Sequence, residues 1–86
     1  MADGSLILLT SPAELGMAIR RSRSAMGLNL RDAARRCNVG TRFLLEVENG
    51  KPTVRLDKVL TVMFALNLIA IVVPLDEAMA ALGPKS

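Results

Sequence analysis

Histidine, tryptophan and tyrosine are absent from this chain, cysteine occurs once and phenylalanine twice. Without histidine, and with one cysteine, a zinc site made of protein ligands has no donors to use. The lone Cys37 cannot close an internal disulfide, so nothing points to an oxidising compartment and a cytoplasmic location is expected. Catalysis also lacks its parts. No nucleophile stands beside a base, no glycine-rich phosphate loop opens a helix, and Glu46 and Glu48, two apart on a helix, point in different directions. The expectation is a non-enzyme without cofactor or metal. Aromatics make up 2% of the chain against 51% apolar residues, so the core must be aliphatic, which suits packed helices. Leu6 to Leu9 is too short for the apolar heart of a secretory signal, and acid rather than base precedes it. The uncharged run from Val59 to Leu75 borders on membrane-spanning length, about 20 residues. Asn67 and Pro74 interrupt it, and no membrane span is expected.

What the chain does have is locally concentrated positive charge. Between Arg20 and Arg42 lie seven arginines against one acid, Asp32, within a formal net charge of only +3. Such a surplus attracts polyanions and speeds their association, although a solvated helical face would show it too. At 86 residues the chain is one small domain. It buries about 60% of its unfolded surface or a little more, which makes pairing with a second copy a natural source of further burial.

The elements read clearly for most of the length. Residues 1–10 form a lead-in whose Ser5–Thr10 run is β-prone. Ser11 caps a first helix over 12–26, with Pro12 at its first position and Glu14 completing a capping box; Gly27 ends it. Asn29 caps a second helix with Leu30, Ala33, Ala34 and Cys37 inward and Arg31, Arg35 and Arg36 outward. Asn38-Val39-Gly40 stops it, and a third helix spans 41–48 before Asn49-Gly50-Lys51-Pro52. A fourth helix over 54–66 should turn Leu56, Val59, Leu60, Met63 and Leu66 to the core. Met26, Met63 and Phe64 read as core or interface. Then the pattern changes: Leu68, Ile69, Ala70, Ile71, Val72 and Val73, closed by Pro74, read as a strand. A strand needs a partner, either Leu6–Leu9 of its own chain or the same strand of a second molecule. Residues 75–86 complete the chain as a short helix and tail.

Residues 30–48 are two short helices joined by a tight turn, with a small Ala34 where they cross and an apolar Val39 to pin the turn. That is the requirement of a helix-turn-helix, in which the second helix offers its first residues to base edges. The stretch Gly27 to Lys51, GLNLRDAARRCNVGTRFLLEVENGK, resembles the Cro/CI-type (XRE) helix-turn-helix family. Ser11-Pro12 with Leu15, Ala18 and Arg23, the GKPT of 50–53 and the RLDKVL of 55–60 resemble HipB-type antitoxins within it. The 68–74 segment stands where members of that group carry a dimerising strand. Three positions depart from the pattern: Leu30 replaces a usual Gln, Asn38 a usual Gly, and Gly40 a usual capping Ser or Thr.

The resemblance implies a mostly α, four- to five-helix lambda-repressor-like domain over 11–67 with a C-terminal strand that pairs in a homodimer. It implies base reading by Thr41, Arg42 and Leu45, with Gly40 permitting close approach. The alternatives are a phosphate contact or free charge for Arg42 and a core position for Leu45. Arg31, Arg35 and Lys51 are candidates for phosphate contacts, Arg36 for solvent. Arg20 and Arg21 could flank DNA or a protein partner. The likeness also implies that Arg23 pairs with Glu48. Cys37 reads as core. The implied function is a repressor of a palindromic double-stranded DNA operator that also restrains a HipA-like Ser/Thr kinase toxin. A stand-alone XRE-type regulator is the first alternative. A protein-interaction module on the same fold, favoured by Leu30 and Leu45, is the second.

Overall fold

The computed structural model describes residues 6–82. Among them five helices follow in order: α1 (Pro12–Ala25), α2 (Leu30–Cys37), α3 (Thr41–Glu48), α4 (Leu56–Ala65) and α5 (Leu75–Leu82). Local chemistry fixes their starts. Ser11 Oγ accepts the Glu14 N–H at 3.2 Å, and Asn29 Oδ1 accepts the Asp32 N–H at 2.7 Å. Glu14 reaches back one residue further than a capping box needs, taking the Thr10 N–H and hydroxyl at 2.7 Å each. The hydroxyl bond, then the backbone bond, holds its carboxyl below the usual carboxylate range.

The first four helices all end alike. Gly27, Asn38, Gly50 and Asn67 take positive φ, and the next residue's N–H reaches five residues back: Leu28 to Arg23, Val39 to Ala34, Lys51 to Glu46, Leu68 to Met63. This Schellman closure satisfies carbonyls that a helix end otherwise leaves open. Connections are therefore short, and the helices pack at once around Ile19, Ala33, Leu44, Val47, Val59, Val62 and Leu66. α1 lies against α3, α3 against α2, and α2 against α4.

Three expectations need correction. Helix four starts at Leu56 and buries Val59, Val62, Met63 and Leu66, while Leu56 and Leu60 are exposed. Phe64 is not core either, being 77% exposed. Arg36 is exposed, and its Nε also donates to the Ala65 carbonyl at 3.0 Å, closing the end of α4. Finally, no β-strand occurs among the described residues, so Leu68, Ile69, Ala70, Ile71, Val72 and Val73 do not form the expected strand. The segment has no regular structure and no ladder of backbone hydrogen bonds among the described residues. Its candidate partner within the chain stands elsewhere: Leu9 lines a depression with Leu56 and Val59 at the start of α4, whereas Leu68 and Ile69 lie beside Phe64 and Ala65 at its end. Ten helical residues, about 15 Å, separate the two. Residues 6–10 are likewise without strand pairing, and residues 1–5 and 83–86 of the lead-in and tail fall outside the described residues. No described helix is long and apolar enough to cross a membrane.

Candidate nucleic-acid interface

The two motif helices can approach because Ala33 and Ala34 are small and fully packed at their crossing. Asn38, at φ 57°, turns the chain, and half-buried Val39 packs on the core from the turn. Gly40 then starts α3 with no side-chain cap, and a Cβ built there would meet nothing within 4 Å. The ground before α3 is thus open, and its first N–H groups are unclaimed by any side chain.

α3 is divided lengthwise. Leu44 and Val47 are buried, and Phe43 is half-buried with the Lys58 ammonium 5.6 Å from its ring centroid. Thr41, Arg42 and Leu45 lie on the opposite, exposed face. Leu45 is therefore not a core residue. Arg31 and Arg35 are exposed on α2 and enter no ion pair among the described residues. Lys51 is exposed just beyond α3, and Arg20 and Arg21 are exposed on α1. The structure thus gathers Thr41, Arg42, Leu45 and Lys51 on and beside one helix. It does not gather residues 68–73 with them, since these leave from the far end of α4.

Two carboxylates follow Arg42, and they differ in kind. Glu48 is the one buried charge of the described residues, its side chain 4% exposed. Arg23 grips it bidentately, Nε to Oε2 at 2.6 Å and Nη2 to Oε1 at 2.9 Å, and spends its remaining branch on the Leu28 carbonyl at 3.0 Å. The Glu48 hydrogen bonds raise the Arg23 pKa above its already high ordinary value, so the guanidinium stays charged. Glu46 is 30% exposed, and its Oε2 stands 3.4 Å from both Arg42 Nε and Lys51 Nζ. Burial pushes the Cys37 thiol up, against a smaller opposing pull from Arg36.

Three contacts had little local signal in the sequence. Gly16, buried in the middle of α1, leaves no room for a side chain: a Cβ would lie 2.5 Å from the carbonyl oxygens of Val47 and Glu48. Only the oddity of a glycine inside a well-capped helix hinted at it. Ser22 Oγ donates to the Leu66 carbonyl at 2.8 Å. The third is the shared carboxylate of Glu46, flanked by two cations that the sequence alone assigned to separate tasks.

This geometry is shared with known proteins. No family model matches the chain. The HTH-type transcriptional regulator y4mF of Sinorhizobium fredii, itself uncharacterised, is 36% identical over 59 residues, spanning 69% of this chain and 78% of its own. Among solved structures, HipB in a HipA–HipB–O2–O3 complex superposes with a TM-score of 0.73 at 17% identity, covering 81% of this chain and 99% of its own. HipB in a complex with an O4 20mer gives the same TM-score, identity and coverage. The clp gene regulator ClgR of Corynebacterium glutamicum gives 0.62 at 27% identity, covering 77% and 85%. Taken with the two short helices, the αL turn and the exposed outer face of α3, these likenesses place the chain in the Cro/CI-type (XRE) family of helix-turn-helix transcriptional regulators.

Proposed function

We propose that the protein is a dimeric repressor of its own operon, reading a palindromic operator with α3, and that it is the antitoxin partner of a HipA-like Ser/Thr kinase. The observation that carries the DNA-reading part is the exposed face of Thr41, Arg42 and Leu45 behind an open Gly40. Arg42 would bond a guanine edge, Leu45 would touch a thymine methyl, and Arg31, Arg35 and Lys51 would meet phosphates. Gly40 adds no bulk where the backbone would come close to a groove.

Dimerisation is supported by the segment after α4. Ile69, Ile71 and Val72 are exposed, Val72 at 97%, in a segment with no partner strand among the described residues. An exposed β-branched segment whose backbone groups are unpaired could serve as a template for pairing with a second copy. A two-fold axis through it would let each copy complete the other. The antitoxin role rests on the fold shared with HipB, which has been solved together with HipA. A stand-alone regulator is the second reading, favoured by the likeness to ClgR at higher identity. A kinase reading frame beside this gene separates the two.

The test is fluorescence anisotropy against duplex DNA from immediately upstream of the protein's own reading frame, with a scrambled duplex as control and salt varied. Tight binding to the first, weak binding to the second and a steep salt slope are expected. Equal, weak binding to both would overturn the repressor reading.

A further inference from the structure

Glu46 is not explained by the stability of the helix that carries it. It sits in the last turn of α3, where a carboxylate faces the negative end of the helix dipole. Its partner on the same helix, Arg42, lies four residues toward the N-terminus, which is the weaker order for an i,i+4 pair. Glu48, in the same turn, is accounted for by Arg23; Glu46 has no comparable partner. Its contacts are instead the two cations nearest the reading face, Arg42 with its side chain 90% exposed and Lys51, both 3.4 Å from the single oxygen Oε2. Lys51 is further tied to Glu46 through the backbone, its N–H donating to the Glu46 carbonyl at 3.0 Å. The carboxylate is itself half-buried, at 30% exposure, unlike the arginine it holds.

Resting on the DNA-reading function above, we propose that Glu46 is a positioning and specificity-setting residue: its carboxylate, steadied by Lys51, orients Arg42 toward base edges and keeps that arginine from settling on phosphates of any sequence. The physics is a competition. A free guanidinium beside a duplex finds phosphates everywhere, and such contacts carry no sequence information. A carboxylate beside it offsets that attraction at every site, while a guanine edge met in good geometry still gains its two hydrogen bonds. Glu46 thereby weakens binding to wrong sequences more than binding to the right one, which is how a repulsive element adds specificity.

The experiment compares wild type and Glu46→Gln, which keeps size and removes charge, on the upstream duplex and on its scramble across a range of salt. Glu46→Gln is expected to bind the scramble more tightly while gaining little on the upstream duplex. The ratio of affinities should fall roughly threefold to tenfold, a part of the discrimination of one bidentate arginine contact. The salt slope on the scramble should steepen by about 0.9, the increment for one further phosphate contact. A structural role alone would move the melting temperature and leave ratio and slope as they were. The same substitution in an Arg42→Ala background should have little effect on the ratio, because the arginine through which Glu46 acts is gone. A wild type that discriminates while Glu46→Gln keeps its ratio and slope overturns this inference and leaves the DNA-reading function standing. An undiminished effect in the Arg42→Ala background overturns it too, since Glu46 would then act on the base directly. A wild type with no discrimination overturns both.

Discussion

Gly16 on α1 lies so near Glu48 at the end of α3 that the Glu48 carbonyl oxygen occupies the place of any side chain, 2.5 Å from where a Cβ would stand. The obstacle is backbone, with Val47 O at the same distance, so no rotamer change relieves it. Gly16→Ala, ordinarily a stabilising change within a helix, should therefore destabilise by about 1–3 kcal/mol or more. In a domain of this size each kcal/mol lowers the melting temperature by about 4–8 °C, readable by thermal circular dichroism. A variant melting at or above the wild-type temperature would refute the close approach.

The same end of α3 holds the buried ion pair. Arg23→Met leaves the Glu48 carboxylate without its guanidinium and should cost about 3–5 kcal/mol in a urea melt. Arg23→Met combined with Glu48→Leu should recover much of that loss, because an apolar pair of similar bulk needs no compensation. Additive losses in the double variant would mean that the two side chains do not act together.

Arg42 and Arg35 should fail differently. Arg42→Ala should lower affinity for the upstream duplex by about 1–3 kcal/mol and relax preference at one base position in a substitution series of the duplex. Arg35→Ala should weaken binding to both duplexes equally and flatten the salt slope by about 0.9. Reversed patterns would exchange the two assignments.

Ile71→Pro removes a backbone donor from the segment after α4. A pairing of that segment across a two-fold axis predicts monomers in light scattering, with reduced affinity for the upstream duplex. A variant that remains dimeric would place the contact elsewhere, the exposed Phe64 beside it being the first candidate.

Burial raises the Cys37 thiol pKa in the fold, so the folded chain resists ionisation at a pH where the unfolded chain, near its ordinary value of about 8.5, gives up the proton. This part of the stability is whole below that pH and is lost as pH rises toward the folded value. Between pH 8 and 10 (about one unit or so either side of that value) the urea midpoint should fall more for wild type than for Cys37→Ala, which has nothing to titrate. Parallel curves would show that the thiol is not buried.

How far the sequence disclosed this structure depends on the range of each contact. Helix limits were legible because capping and stopping are local: Ser11, Asn29, Gly27, Asn38 and Gly50 act within five residues of themselves. The inner face of α4 was not. Leu56, Val59, Leu60, Val62, Met63, Phe64 and Leu66 ring that helix with apolar side chains, so periodicity could not choose the side that α2 covers. Asn67 read as an interruption, yet it closes α4 in a left-handed conformation. Ser22 with Leu66, Arg36 with Ala65 and Gly16 with Glu48 join residues 29 to 44 positions apart, and no window of sequence contains both partners. On the candidate interface, Arg42 and Leu45 were implied by the family resemblance, and whether Leu45 faced outward or into the core was left to the packing. Glu46 could not be joined to Lys51, because that contact needs the chain reversal at Gly50.

Ser22 and Arg23 are neighbours in α1, yet they fasten two different ends of the molecule. Ser22 holds the last carbonyl before the chain departs toward residues 68–74, and Arg23 holds the tail of the helix that would lie in a groove. One turn of one helix would therefore serve as a gauge block between the proposed joint of a dimer and its reading heads. Two copies meeting at that joint would carry their α3 helices at a separation set by the protein. An operator whose half-sites are spaced otherwise would have to make up the difference in its own twist and bend.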